Sequence, residues 1–173
     1  TPAGGRSPEP EDAAYDLFRK YNTGKQKQEG YVYAEIRIPQ GEITSETLIG
    51  LSELSAIAEE ISFRTTPAQN IAAADIPEGK LYGIYKKISA LAENFLFPNT
   101  VLDVVTCKGA STCNLGICSA IALAPEIEKA VAETDIDLGR LKGAKIRING
   151  CPNACGQHPI GLISLSGAVK KAY

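Results

Sequence analysis

The chain contains no methionine, not even at position 1, and no tryptophan. An intact product normally begins at Met, and the sequence stops at Lys170-Lys171-Ala172-Tyr173 without a polar tail, so both ends are expected to be cut from a longer protein. Neither sign of charge is in excess. Eighteen Lys and Arg against 20 Asp and Glu leave a net charge of −2, which removes the electrostatic basis for binding nucleic acid or an anionic membrane. No apolar run approaches the roughly 20 residues that span a bilayer. The N-terminal region also lacks the apolar stretch of a signal peptide, and the cytoplasm is the expected location. What remains is 173 residues, 44% hydrophobic and 22% charged: one medium or two small globular domains, and no wholesale disorder.

Residues 1–12 hold three prolines, two glycines and no large apolar side chain, so they cannot bury enough surface to offset their ordering entropy. Residues 1–27 are read as a linker or flexible N-terminal segment, with one short helix around Tyr15–Tyr21. From Tyr31, the alternation of Val32, Ala34, Ile36 and Ile38 with Tyr33, Glu35 and Arg37 predicts a half-buried strand. Thr44 or Ser45 caps a helix whose Leu48, Leu51, Leu54, Ile57 and Ile61 recur at helical spacing. Strands over 61–66 and 69–74 and a helix over 80–94 complete a β-α-β-α unit, half of a ferredoxin-like sandwich by element count. A second unit follows Phe97-Pro98-Asn99: a strand over 101–106, a helix over 119–133 whose regular part Pro125 starts, and strands over 145–148 and 160–165. The fold class is therefore α/β (α+β in segregation), with domains at 28–98 and 99–173.

All five cysteines lie in the second unit. Four form two pairs, Cys107-x5-Cys113 and Cys151-x3-Cys155, each just beyond the C-terminal end of a predicted strand. Side by side in one sheet, those ends would bring four thiols to the edge where open α/β sheets place ligands. Disulfides, a structural zinc, inert buried thiols and an iron–sulfur cluster compete for the arrangement. An odd cysteine count counts against the first, and an x5 spacing fits poorly with the tight x2–4 knuckles of zinc. The flanks Lys108-Gly109-Ala110-Ser111-Thr112 and Pro152-Asn153-Ala154 are small and turn-forming rather than core-like. Such loops let backbone N–H groups approach anionic sulfur, as in clusters held by four thiolates.

The wording of these segments narrows the choice. Asn149-Gly150-Cys151-Pro152-Asn153-Ala154-Cys155-Gly156-Gln157-His158 closely resembles the second cysteine pair of the nitrite and sulfite reductase family, and 106–116 resembles its first. Ile38-Pro39-x-Gly41-x-Ile43-Thr44 resembles the family's ferredoxin-like half-domain, and Arg64-Thr65-Thr66-Pro67-Ala68-Gln69-Asn70 is similar to a stretch of its second repeat. The resemblance implies a 4Fe–4S cluster on Cys107, Cys113, Cys151 and Cys155, with Cys155 also bridging to a siroheme iron. It further implies six-electron reduction of sulfite to sulfide or nitrite to ammonia, with ferredoxin or a reductase subunit as electron donor. Relatives carry two such repeats, and the anion-binding side chains come largely from the first. This single repeat is thus expected to need the first repeat as partner, to lack a complete active site, and to stop before the closing strands of its second domain. The alternatives kept open are an iron–sulfur electron-transfer module without substrate chemistry and a zinc-stabilised binding domain.

Several side chains have two readings each. Cys118, outside the four-ligand pattern, is read as a buried thiol at a helix start. His158 is either a proton donor or a side chain beside the cluster loop. Asn153 is a turn former, or near the macrocycle as the resemblance implies. Arg64 either grips a siroheme carboxylate or makes a structural ion pair. Lys108 either offsets cluster charge or is simply solvated, and Lys86-Lys87 is a solvated helix face.

Overall fold

The computed structural model describes residues 12–92, 94–141 and 143–170, so linker residues 1–11 lie outside the described residues. The chain divides into two compact units at Pro98/Asn99. Among the described residues, no helix is long and apolar enough to cross a membrane.

The first unit starts earlier than its composition suggests. Asp12 caps helix α1 (Ala13–Asn22), its carboxylate accepting the N–H groups of Ala14 and Tyr15 at 3.1 Å. Tyr15 and Phe18, one turn apart, are fully buried. Asn22 is buried too, its Nδ2 donating to the carbonyls of Glu35 and Phe95 at 2.8 Å. The expectation of a linker through residue 27 is therefore corrected. A helix needs only one apolar stripe, and here two aromatic rings supply it within an otherwise polar segment.

Strand β1 (Thr23–Lys25) continues directly from α1 and pairs antiparallel with β2 (Tyr31–Ile36). With β3 (Ser62–Thr65) and β4 (Ile71–Pro77) they form an antiparallel sheet of order β1-β2-β4-β3. Val32, Ala34 and Ile36 face the core, as their alternation predicts. Helices α2 (Ser45–Ser52) and α3 (Leu81–Leu91) contribute Leu51, Leu81, Ile84, Tyr85 and Ile88 to it. Thr44 is the cap of α2, its hydroxyl accepting the Thr47 N–H at 3.1 Å. The long periodic helix expected from Leu48 to Ile61 instead ends at Ser52 and tightens into a 3₁₀ turn carrying Leu54. Leu48 stays 53% exposed. Gly50 approaches α3 so closely that a Cβ there would collide with the Leu91 side chain, so α2 buries its Gly50 and Leu51 side and leaves Leu48 outward. The expected solvated Lys86-Lys87 face holds one exposed ion pair, Lys87 to Glu53 at 2.5 Å.

The Thr66–Asn70 turn joins β3 to β4, and Asn70 is its knot. Fully buried, it accepts the Ile38 N–H at 3.0 Å and donates to the Glu35 carboxylate at 3.1 Å. Thr66 closes the same turn through the N–H of Asn70 at 3.3 Å. Asn70→Ala should leave the Ile38 amide without its side-chain acceptor and cost about 1–3 kcal/mol. A urea midpoint unchanged from the parent would contradict that role.

The second unit holds β5 (Val105–Thr106), helix α4 (Ala120–Ala132), β6 (Ile146–Asn149) and β7 (Ile163–Ser166). The strands form a parallel sheet of order β5-β6-β7. Only the last two residues of the strand expected over 101–106 enter the sheet. Before them the Thr100 hydroxyl accepts the Leu102 N–H at 3.2 Å, and Asp103 accepts that of Asn99 at 2.7 Å. Local side-chain bonds of this kind favour a turn over a ladder. Pro125 lies inside α4 instead of opening it. It removes one amide, which would have bonded the Ile121 carbonyl in the helix's opening stretch.

Candidate functional site

β5 and β6 run parallel and adjacent, with Thr106 opposite Ile148. Cys107 follows β5 at once, and its N–H continues the ladder to the Ile148 carbonyl at 3.1 Å. Cys151 comes two residues after the end of β6. The two cysteine-bearing loops thus leave the same edge of the sheet. The loop after β5 closes on itself, with Cys113 N–H donating to Gly109 O at 3.0 Å and Ala110 N–H to Cys118 O at 3.0 Å. It then joins the second loop, where Ile117 and Cys118 both donate to the Gly150 carbonyl at 2.8 and 2.9 Å. In return Gly150 N–H donates to the Cys107 sulfur at 3.1 Å. Backbone amides that donate to cysteine sulfur are a recurring feature of iron–sulfur sites.

Gly150 is where the loops touch backbone to backbone. A Cβ there would stand 2.5 Å from both the Cys118 carbonyl oxygen and the Gly109 Cα. Neither contact can yield by side-chain rotation, so Gly150→Ala should cost about 1–3 kcal/mol through forced backbone shifts. Thermal melts check this; a melting temperature equal to the parent's would mean that the loops do not pack this closely.

The Cys151–Cys155 loop is fastened from below by β6. Asn149 Nδ2 donates to the Asn153 carbonyl at 2.6 Å, and Gly167 N–H bonds the Asn149 carbonyl at 2.8 Å. Asn149 is buried, and its Oδ1 has no partner among the described residues. Two residues earlier, Arg147 Nη1 donates to Gln157 Oε1 at 2.6 Å. Gln157, two residues past Cys155, adopts a left-handed φ of 58°. Burial pushes the Arg147 pKa below its usual value, and the buried carboxylate of Asp103 opposes that shift. Neither Arg147 nor Asn149 stands out in the sequence as a functional side chain. Arg147 lies between two isoleucines and looks like the solvent side of a strand, whereas all four residues of β6 are buried. The available sequence signal was an acid, Asp103, set in the otherwise apolar stretch that leads into the neighbouring strand.

Cys151 is buried, Cys107 half-buried, and Cys113, Cys118 and Cys155 are exposed; all five are free thiols. Cys118 does precede the N-cap of α4, but it is exposed rather than buried. Its neighbours Ile117 and Ser119 are exposed as well, because the segment is held by its backbone instead of its side chains. Asn153 and Lys108 are exposed. His158 opens a 3₁₀ turn, and its Nδ1 is buried without a partner among the described residues. Arg64 lies in the first unit, exposed on β3. Near it, the Asp75 carboxyl is held below its ordinary value by hydrogen bonds from Gln26 and Ser62, with Arg64 adding a smaller electrostatic pull.

Among the described residues, no three His, Cys, Asp or Glu side chains converge as for a single metal ion. A cube of four irons makes a different demand, since each thiolate binds its own iron and the four sulfurs stand apart around it. Two thiol pairs on adjacent strand ends, small turn residues and an amide on sulfur are a donor set that fits such a cluster.

Residues 24–91 match the family model described as the nitrite/sulfite reductase ferredoxin-like half domain. A ferredoxin–nitrite reductase of Synechococcus elongatus is 31% identical over 149 residues, covering 83% of this chain and 27% of that protein. Sulfite reductase (ferredoxin) 2 of Mycolicibacterium paratuberculosis is 28% identical over 131 residues, covering 73% and 23%. The fold is also that of the solved NirA protein of Mycobacterium tuberculosis, with a TM-score of 0.64 at 23% identity over 91% of this chain and 28% of that one. The chain spans about a quarter of the length of these curated relatives. With its α/β fold and ferredoxin-like half-domain, this chain belongs to the nitrite/sulfite reductase family.

Proposed function

We propose that this chain is the part of a siroheme-dependent nitrite or sulfite reductase that holds the 4Fe–4S cluster, through Cys107, Cys113, Cys151 and Cys155 in the segment 99–173. The observation that carries the reading is the junction of the two cysteine loops at the ends of β5 and β6, with Gly150 N–H on the Cys107 sulfur at 3.1 Å. When bound, cluster and siroheme together supply the electron relay and the open iron face for six-electron reduction of a small anion. The chain's own residues do the holding. Asn149 and Arg147 brace the turn that presents Cys155, the thiol assigned to bridge the two groups. Asn153, exposed between Cys151 and Cys155 along the chain, is assigned to the siroheme periphery. The anion-binding side chains belong to the first repeat of the same enzyme, its partner in the complete site. Ferredoxin is the proposed donor, the reductant in the names of the nitrite and sulfite reductases above.

The test is anaerobic reconstitution of the chain with iron and sulfide, followed by a visible spectrum and by iron, sulfide and zinc analysis. Equal iron and acid-labile sulfide at one cube per chain, with the broad charge-transfer absorption of a cluster, is the expected result. Zinc alone, or iron without sulfide, overturns the assignment. Cluster formation with no siroheme uptake once the first repeat is added reduces the chain to an electron-transfer module.

A further inference from the structure

Cys118 is the thiol for which the proposed cluster has no use, yet it stands beside one of the cluster's ligands. Its N–H donates to the carbonyl of Gly150 at 2.9 Å, and Gly150 directly precedes Cys151. The path between the two Cα atoms is one N–Cα bond, that hydrogen bond, and the short span across a trans peptide. Even fully stretched it reaches only about 7 Å, and any bend shortens it. Disulfides use Cα separations of about 4.4–6.8 Å. The Cys118 side chain also starts close to the Gly150 carbonyl. A Cβ added to Gly167 would stand 3.1 Å from the Cys118 Cβ and press on the Gly150 carbonyl, so both flank the same glycine.

We propose that Cys118 is a resolving thiol, which closes a reversible disulfide with Cys151 whenever the neighbouring cysteines carry no cluster. The inference rests on the reading of Cys151 as a cluster ligand only for its purpose, not for its chemistry. The oxidant is a small disulfide such as oxidised glutathione. Cys118, exposed where Cys151 is buried, is the first to meet it. Its thiolate attacks one sulfur of the small disulfide, forming a mixed disulfide and releasing one glutathione thiolate. The Cys151 thiolate then attacks the Cys118 sulfur, and the second glutathione thiolate leaves. Two protein thiols are oxidised by two electrons, the small disulfide is reduced to two thiols, and the two protein protons go to the leaving thiolates. The bond spares Cys151 from irreversible oxidation to sulfinic acid, and a dithiol reductant returns it to the ligand form.

The experiment treats the reduced, cluster-free full chain with oxidised glutathione and maps the products by non-reducing peptide mass spectrometry. The expected product is a Cys118–Cys151 linked peptide pair, lighter by two hydrogens than the separate thiol peptides and absent from Cys118→Ser. In chain reconstituted with iron and sulfide, Cys118 should instead carry glutathione. A dominant link between any other pair, a scrambled mixture, or no link at all overturns the proposal. If reconstitution fails while the Cys118–Cys151 link still forms, the resolving role stands and the cluster assignment falls, so the two ideas fail separately.

Discussion

Phe18→Ala is expected to destabilise the first unit by about 3–5 kcal/mol, the range for deleting a buried aromatic ring. Phe18 is fully buried, with its ring centroid 5.4 Å from that of Tyr85 and 5.9 Å from that of Phe95, while Tyr15 stacks on it at 6.5 Å. Truncation removes the centre of this group and leaves a cavity that the surrounding rings cannot fill without leaving their rotamers. Urea unfolding followed by tyrosine fluorescence reads the change as a lowered midpoint at unaltered slope. A loss below about 1 kcal/mol would mean that α1 lies loosely on the sheet, as a linker would. An independent check is Asn22→Ala, which takes the donor away from the Glu35 and Phe95 carbonyls at the other end of the same helix.

Arg147→Met should be nearly as damaging in the second unit, at about 3–5 kcal/mol. Methionine fills much of the same volume, so the loss measures charge and hydrogen bonding rather than a cavity. Two groups suffer: the buried Asp103 carboxylate loses the cation that faces it, and Gln157 loses the donor at 2.6 Å beside the Cys155 turn. Adding Asp103→Asn should recover a good part of the stability, because a neutral amide does not need the guanidinium. If the double variant is no more stable than the single, the pair is not electrostatically coupled and Gln157 alone explains the effect. The single variant should also hold its reconstituted cluster less firmly, read as faster bleaching of the visible absorption by a chelator.

The candidate site was legible in the chain because its chemistry is local. Thiol spacing, small turn residues and a Gly-Cys-Pro-Asn-x-Cys string are each contained within a few neighbouring positions. Helix α1 was legible as a short helix around Tyr15–Tyr21, but its place in the core was not, since the first 27 residues are rich in polar and turn-forming types and only Tyr15 and Phe18 mark the buried stripe. The exposure of Leu48 on α2 was hidden for another reason. The leucine spacing reports what a helix could bury, while the approach of Gly50 to Leu91 decides which face does so. The same holds for Cys118, whose exposure follows from backbone bonds to Gly150 that composition does not announce.

By itself the amino-acid string determined the family, the α/β class, the alternation that turns Val32, Ala34 and Ile36 inward, and the two thiol pairs beyond strand ends. Tertiary structure alone decided that β5 and β6 lie side by side, so that those ends share one edge, and that Arg147 is buried against Asp103 and Gln157. Side-chain periodicity and turn chemistry act over a few residues and are written in order along the chain. Strand order, and the partner of a buried charge, depend on which distant segments exclude water together, and only the folded molecule makes that choice.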